Sequence, residues 1–130
     1  MHLDLSQNRL QHALFREAIN IVEQGIADAR SVDKAAKYSF MPRYTSIGIF
    51  DASWLIQALI LNYNIENYLF KDLSAADKAP KLICDLMEQG AYGVKAGRGI
   101  YDWSDVDMDD FKNRISAPYW SYFNWELPEE

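Results

Sequence analysis

Few side chains in this sequence have a type and spacing that could perform chemistry, and the first candidates are Asn8 and His12. On a helix, residues four apart lie one turn from each other on the same face, so these two could contact a common ligand. The alternative is an ordinary surface or interface histidine, and we favour it because a lone histidine is a weak catalytic signal. The sequence contains no HExxH or GxSxG motif.

A glycine-rich loop is the second candidate, because GAYGVKAGRGIYDW has four glycines in its first ten residues and cannot be helical. The letters GRG at 97–99 resemble the first half of the dinucleotide fingerprint GxGxxG, but Asp102 stands at the third glycine position. A Walker loop is excluded because Lys95 is followed by Ala96. We therefore predict an architectural turn with positive φ at one or more of its glycines. The structural loop residues are Gly93, Lys95, Gly97 and Gly99.

Cys84 is the single cysteine, which excludes an intrachain disulfide framework and the multi-cysteine zinc patterns. Its neighbours in the predicted helix are apolar, so we expect a buried, inert thiol. We expect no metal site in this chain.

Composition narrows the class of protein. The 130 residues fit one domain, and 49% apolar with 25% charged residues is a globular profile. Acids outnumber bases 19 to 13, for a net charge of −6, which argues against a nucleic-acid partner. No charge-free run approaches the roughly 20 residues that span a bilayer, and the N-terminus lacks the features of a secretory signal. We expect a cytoplasmic protein with no membrane partner.

The periodicity predicts an all-α bundle of about five helices. We expect Ser31 to cap the second helix, and Ser104 or Asp105 to begin the last one. The third helix has apolar residues around most of its circumference, so we expect it to be largely buried. The predicted helices are 6–28, 32–38, 51–70, 80–89 and 106–115.

The first predicted helix is apolar on two opposite faces. A helix of this kind is sandwiched between neighbours, or between a neighbour and a second subunit, so we expect it to be central. One face comprises Leu10, Leu14, Ala18, Ile21 and Gly25; the other comprises Phe15, Ile19, Val22 and Ile26.

The C-terminal tail places five aromatic residues within 119–125. We expect it to pack on its own domain, and the alternative is that it covers a neighbouring subunit. The expected organisation is therefore a helical domain over residues 1–104, followed by a last helix and aromatic tail at 105–130 packed on the same domain.

Several of these motifs together resemble a known family. The letters NRL, REA and VEQG between residues 8 and 25 resemble the opening helix of the C-terminal domain of L-3-hydroxyacyl-CoA dehydrogenases. SVDKA at 31–35 is similar to a second helix of that family. GAYGVKAGRGIY at 90–101 matches the family signature G.LG.K.G.GFY almost position by position. The resemblance runs from about residue 5 to 104.

The resemblance implies an all-α domain, similar to the C-terminal domain of 6-phosphogluconate dehydrogenase, which dimerises and closes a substrate cleft over an N-terminal Rossmann domain. In the family, a His–Glu pair of the Rossmann domain removes the hydroxyl proton while hydride passes to NAD. By position, Asn8 is the residue expected to contact the reacting end of the substrate. Lys95 is expected to reach a nearby C-terminal carbonyl or, less favoured, a phosphate of CoA.

The sequence departs from the family in ways that bear on function. Ile49 and Asp51 replace the Pro and Glu of the family's GPFE loop, and the downstream GLD is missing. The substrate could therefore be an acyl-CoA or a related hydroxy acid. The sequence contains no Rossmann fingerprint, so this chain alone is expected to bind no NAD and to be inactive.

Two hypotheses about function follow. The first is the C-terminal substrate-cleft and dimerisation domain of an NAD-dependent 3-hydroxyacyl-CoA or related 3-hydroxyacid dehydrogenase, a homodimer active in fatty acid metabolism when joined to its Rossmann domain. The second is a non-enzymatic helical dimerisation module derived from that family. We favour the first.

Overall fold

The computed structural model describes residues 3–50 and 58–122, with side chains for 5–50 and 60–121. It confirms the predicted all-α class, with no strand in the described ranges. The α-helices are α1 (Leu3–Glu23), α2 (Ala29–Tyr38), α3 (Ala58–Leu69), α4 (Lys81–Glu88) and α5 (Met108–Tyr122). Short 3-10 helices follow α2, α3 and α4 at Met41–Thr45, Phe70–Asp72 and Val94–Ala96. Within the described part, no helix is long and apolar enough to cross a membrane.

Helix α1 ends at Glu23, five residues earlier than predicted, because Gly25 adopts a left-handed φ of 69°. The Gly25 N–H donates to the Val22 carbonyl at 3.0 Å, and the Ile26 N–H donates to the Ile21 carbonyl at 3.1 Å. This pair of bonds is a Schellman motif, which closes the helix at a glycine. Placing Gly25 and Ile26 on helical faces was therefore wrong.

Asp28, and not Ser31, caps helix α2. The Ser31 backbone N–H donates to Asp28 Oδ1 at 2.7 Å, and α2 begins at Ala29. The backbone N–H of Ser31, followed by its side chain, holds the pKa of Asp28 below its ordinary value. The predicted start at Ser31 was wrong because an aspartate three residues earlier reaches the free N–H groups first.

The chain divides into two compact units, Met1–Gly90 and Ala91–Glu130. In the first unit α1 packs against α2 and α4. Among the described side chains of this unit, Ile19 is the buried apolar one, with 4% of its surface exposed. The core formed by the described residues of this unit is therefore centred on the second half of α1.

The first half of α1 and the described part of α3 are much more exposed than expected. Phe15 is 47% exposed and Ile60 is 76% exposed, and Leu14, Leu61 and Leu69 are also exposed. The prediction of a largely buried third helix was therefore wrong for its described part; residues 51–57 lie outside it. Apolar periodicity shows which faces avoid water, but the described chain provides no element that covers these faces.

Helix α5 lies in the second unit and runs through Pro118 to Tyr122, beyond its predicted end at residue 115. It begins at Met108 because Asp107 Oδ1 accepts from the N–H groups of Asp109 and Asp110, at 3.0 and 3.1 Å. Ser104 and Asp105 lie in the preceding turn, so the predicted start was wrong.

The described part of the aromatic tail lies in α5. Trp120 is 75% exposed and Tyr119 is 52% exposed within the chain. Residues 123–130 lie outside the described part, so the packing of the tail on its own domain stays a prediction.

Candidate functional site

Asn8 lies in the second turn of α1, and its side chain is exposed. His12 follows one turn later and is also exposed, so the structure places the two on one open face as predicted. By the 100° spacing of a helix, both lie within about 40° of Ile19 around the axis. The face that is packed at Ile19 is therefore open at Asn8 and His12.

Charged side chains of α1 fix the helix immediately after this open face. Arg16 Nη1 donates to the Ala76 carbonyl at 3.2 Å, and Glu17 Oε2 accepts from the Ser74 N–H at 2.6 Å. These bonds join residues that are 57 and 60 positions apart. They hold the open half of α1 in a defined place relative to the rest of its unit.

Glu23 provides a similar contact at the other end of α1. Its Oε1 accepts from the Leu82 N–H at 2.6 Å, within the first turn of α4. Sequence reasoning missed the roles of Glu17 and Glu23. Glu17 lies in the letters REA and Glu23 in the letters VE, which both belong to the stretch that resembles the family. That resemblance was the signal that could have drawn attention to them.

The glycine loop folds back on itself in the second unit. The Gly93 N–H donates to the Arg98 carbonyl at 2.8 Å, and the Trp103 N–H donates to the Gly97 carbonyl at 2.9 Å. Gly93 and Gly97 have φ values of 89° and 69°, which confirms the prediction of positive φ in this loop. A side chain at either position would be strained, because L-residues rarely adopt that region.

Glycine is favoured at position 99 because of the space available there, and not because of its φ angle. A Cβ atom at this position would lie 3.0 Å from the Gly93 Cα and 3.3 Å from the Gly93 nitrogen. The two backbone segments therefore approach so closely that a side chain at residue 99 would have to displace the Gly93 backbone by a few tenths of an ångström. The loop is architectural, as predicted, and its described backbone has no strand-to-helix junction of the kind that binds a pyrophosphate.

Lys95 lies in the 3-10 helix of the loop and is exposed. Within the described residues its ammonium group makes no hydrogen bond or ion pair, so the expected bond to a C-terminal carbonyl is not observed there. The contact with a phosphate of CoA stays a prediction. The loop is closed instead by neighbouring side chains. The Trp103 ring packs edge-on against Tyr101 and Phe111, with centroid distances of 6.4 and 5.1 Å.

Asp102 stabilises the exit from the loop. Its Oδ1 accepts from the Ser104 hydroxyl at 2.7 Å and from the Ser104 N–H at 2.9 Å. The Ser104 hydroxyl, and then its N–H, hold the pKa of Asp102 below the ordinary value. Asp102 therefore has a structural role where a dinucleotide fingerprint would have its third glycine.

Cys84 is exposed in α4, and its Sγ lies 3.6 Å from the Ala79 carbonyl. The prediction of a buried thiol was wrong, because the described chain leaves this side of α4 uncovered. No group of three His, Cys, Asp or Glu residues in the described ranges could hold a metal ion.

Comparison with known proteins identifies the family. The family model of the 3-hydroxyacyl-CoA dehydrogenase C-terminal domain matches residues 6–103. The match covers most of the chain, including Asn8 and the whole glycine loop. The chain belongs to this family.

A curated relative is 5-formyl-3-hydroxy-2-methylpyridine 4-carboxylate 5-dehydrogenase of Mesorhizobium japonicum, 26% identical over 95 residues. That alignment covers 73% of this chain but 30% of the relative, so the chain spans about a third of the relative's length. The related NAD-dependent enzyme is a dehydrogenase, which supports this general kind of reaction for full-length proteins of the family.

The fold is also similar to a solved structure. The crystal structure of 5-formyl-3-hydroxy-2-methylpyridine 4-carboxylic acid 5-dehydrogenase, an NAD⁺-dependent dismutase, has a TM-score of 0.78 and 22% identity. The similarity covers 85% of this chain and 36% of that chain. At this identity the likeness shows the shared helical fold.

Proposed function

We propose that this chain is the C-terminal substrate-cleft and dimerisation domain of an NAD-dependent dehydrogenase that acts on a 3-hydroxyacyl-CoA or a related hydroxy acid. The observation that carries the proposal is the family match over residues 6–103, with Asn8 exposed near its start. A residue that contacts substrate must be accessible. Asn8 makes no hydrogen bond to another described residue that would give its side chain a structural role.

The exposed apolar side chains support the dimerisation role. Phe15, Ile60 and Tyr68 are each 47% or more exposed, although they belong to two different helices. Each large apolar side chain left in water forgoes about 1.5–3 kcal/mol. A second copy of the chain and a nucleotide-binding domain are the partners that would bury these surfaces.

The cofactor in this proposal belongs to a different domain. The described residues of this chain do not fit NAD, because they contain no strand-to-helix junction with a glycine turn. We therefore propose that an N-terminal nucleotide-binding domain holds NAD and that this chain contributes substrate contacts. On its own, the chain would be inactive.

Two chemical classes of substrate are compatible with the proposed function. The family name refers to 3-hydroxyacyl-CoA, whereas the related enzymes described above act on a pyridine carboxylate. Ile49 and Asp51 depart from the family's GPFE letters, so a related hydroxy acid stands beside an acyl-CoA as the substrate that we propose.

The test joins residues 1–130 to a family NAD-binding domain and measures NADH formation with 3-hydroxybutyryl-CoA and with 3-hydroxybutyrate. Activity that requires this chain supports the proposal, and the preferred substrate distinguishes the two classes. A stable dimer that forms no NADH with either substrate would favour the alternative, a non-enzymatic dimerisation module.

A further inference from the structure

Within the described chain, helix α3 has less packing than its composition requires. Its packing partner there is the 3-10 helix Phe70–Asp72 that continues it. Asn, Tyr and Ile make up seven of its 12 described residues, and these types favour a helix less than alanine or leucine does. A helix of this composition owes its stability to packing, so α3 needs a surface beyond the described part of this chain.

One face of α3 has the residue spacing of a helix pair. Its exposed side chains recur at intervals of three and four residues, as the a and d positions of a coiled coil do. At 100° per residue they fall within about 80° of each other around the helix axis. Tyr63 is 66% exposed and Phe70 is 61% exposed. The members of this α3 stripe are Ile60, Tyr63, Asn67 and Phe70.

Opposite charges lie on the two edges of the α3 stripe. Glu66 and Lys71 occupy the g and e positions of the repeat in which Ile60 is a. Within the described residues neither of these charges forms an ion pair. In a parallel helix pair, g and e charges of the two copies meet across the edges of the apolar contact. Glu66 of each copy would therefore lie opposite Lys71 of the other copy.

Asn67 suits contact with its own counterpart. Its amide both donates and accepts, so two copies of the side chain can bond to each other. A single Asn at an a position fixes the register of a helix pair in this way, at a cost in stability. Asn67 makes no hydrogen bond to another described residue. An apolar surface of another protein would leave this amide without a partner, whereas a second copy supplies one.

The sparse charge of this segment also favours a second copy. Glu66 is the one charged residue in 58–70, whereas the chain has a net charge of −6, so two copies repel each other least here. The exposed parts of Tyr63 and Phe70 amount to about 200–300 Å² per copy. That is roughly a third of the ~800 Å² that each partner contributes to a standard interface, so the α3 stripe forms the centre of the contact.

We propose that the α3 stripe packs against the α3 stripe of a second copy as a parallel helix pair. The two Asn67 amides bond across the two-fold axis, and Glu66 of each copy pairs with Lys71 of the other. The inference rests on the dimerisation role proposed above and assigns that role to one face of one helix.

Charge reversal tests the pairing without altering the apolar residues. Glu66→Lys and Lys71→Glu each place like charges opposite each other twice in a two-fold contact. We expect each to raise the dissociation constant of the dimer severalfold, measured on the 130-residue chain by analytical ultracentrifugation at low salt. The double variant restores opposite charges and should recover the affinity of the parent. Lys34→Glu makes the same charge change on α2 and should leave the affinity unchanged.

A disulfide tests the position of the two-fold axis. With Cys84 replaced by serine, Asn67→Cys places one thiol per copy where the helices approach most closely. We expect mild oxidation to give a covalent dimer. Leu61→Cys is also exposed but lies about 120° round the helix, so it should cross-link at least tenfold more slowly. The circular dichroism spectrum of each variant serves as the check that it is folded.

A monomeric parent chain, no recovery in the double variant, equal weakening by Lys34→Glu, or equal cross-linking at residues 61 and 67 would each overturn the proposal. These results are distinguishable from failure of the proposed function. An active joined enzyme whose dimer is insensitive to both charge reversals refutes the α3 pair alone. A charge-dependent α3 dimer in a joined enzyme that forms no NADH refutes the dehydrogenase role.

Discussion

The carboxylate of Glu23, at the end of α1, accepts from the Leu82 N–H at 2.6 Å, across 59 positions of the sequence. Helix α4 needs this acceptor because its N-cap residue, Pro80, has no side-chain oxygen. A negative charge at this point also interacts favourably with the positive end of the α4 dipole. Glu23 is thus a helix cap supplied by a distant element.

We expect Glu23→Ala to lower the free energy of unfolding by about 1 kcal/mol, because the Leu82 N–H loses its acceptor. Denaturant unfolding followed by circular dichroism measures this. Glu66→Ala, at an exposed position of α3, is the matched control and should change stability by under about 0.5 kcal/mol. Equal effects of the two variants would show that the cap contributes nothing.

The glycines of the loop should differ in their tolerance of alanine. At Gly97 nothing lies within 4 Å of an added Cβ, so Gly97→Ala suffers only from the left-handed backbone, at about 1–2 kcal/mol. At Gly99 the Cβ would lie 3.0 Å from the Gly93 Cα, so the Gly93 backbone, whose N–H donates to the Arg98 carbonyl, must shift to admit it. We expect Gly99→Ala to have the lower melting temperature, and the reverse order would contradict the close approach.

Asn8→Ala should lower kcat/KM of the joined enzyme while leaving the melting temperature nearly unchanged. The side chain is exposed and bonds to no other described residue, so its removal affects stability by under about 0.5 kcal/mol. Gln7→Ala, at an exposed position about 100° round the helix in the same turn, should leave both quantities unchanged. Unchanged activity of Asn8→Ala would refute the role carried over from the family.

The isolated chain should be a dimer at micromolar concentration in sedimentation velocity. A charge placed in the apolar surface, as in Phe15→Asp or Ile60→Asp, should shift one or both variants toward monomer. Lys34→Asp, at a polar exposed position, should remain dimeric. A monomeric parent chain would refute the dimer.

Calorimetry should detect no binding of NAD or NADH to the isolated chain. The glycine loop is followed by Asp102 and by four further aspartates up to residue 110, which repel the phosphates of a dinucleotide. A family NAD-binding domain measured in the same buffer is the positive control. Micromolar binding of NADH to this chain would show that the cofactor assignment is wrong.

The sequence by itself determined the features that depend on local chemistry. Helical periodicity and helix breakers predicted an all-α fold, the approximate positions of five helices and the left-handed Gly90 just beyond the end of α4, whose φ is 68°. Clustered glycines predicted the turn at 93–99 with positive φ. These features could be predicted because a residue's own conformational preference and its near neighbours decide them.

Tertiary structure decided the features that depend on residues distant in sequence. Only folding brings Glu23 to the first turn of α4, 59 positions further along the chain. The exposure of Cys84 and of Phe15 likewise depends on which element lies beside them, and apolar periodicity does not state whether that element belongs to the same chain. A hydrophobic face read from sequence therefore indicates burial, but only the folded structure shows whether another described element of the chain lies against that face.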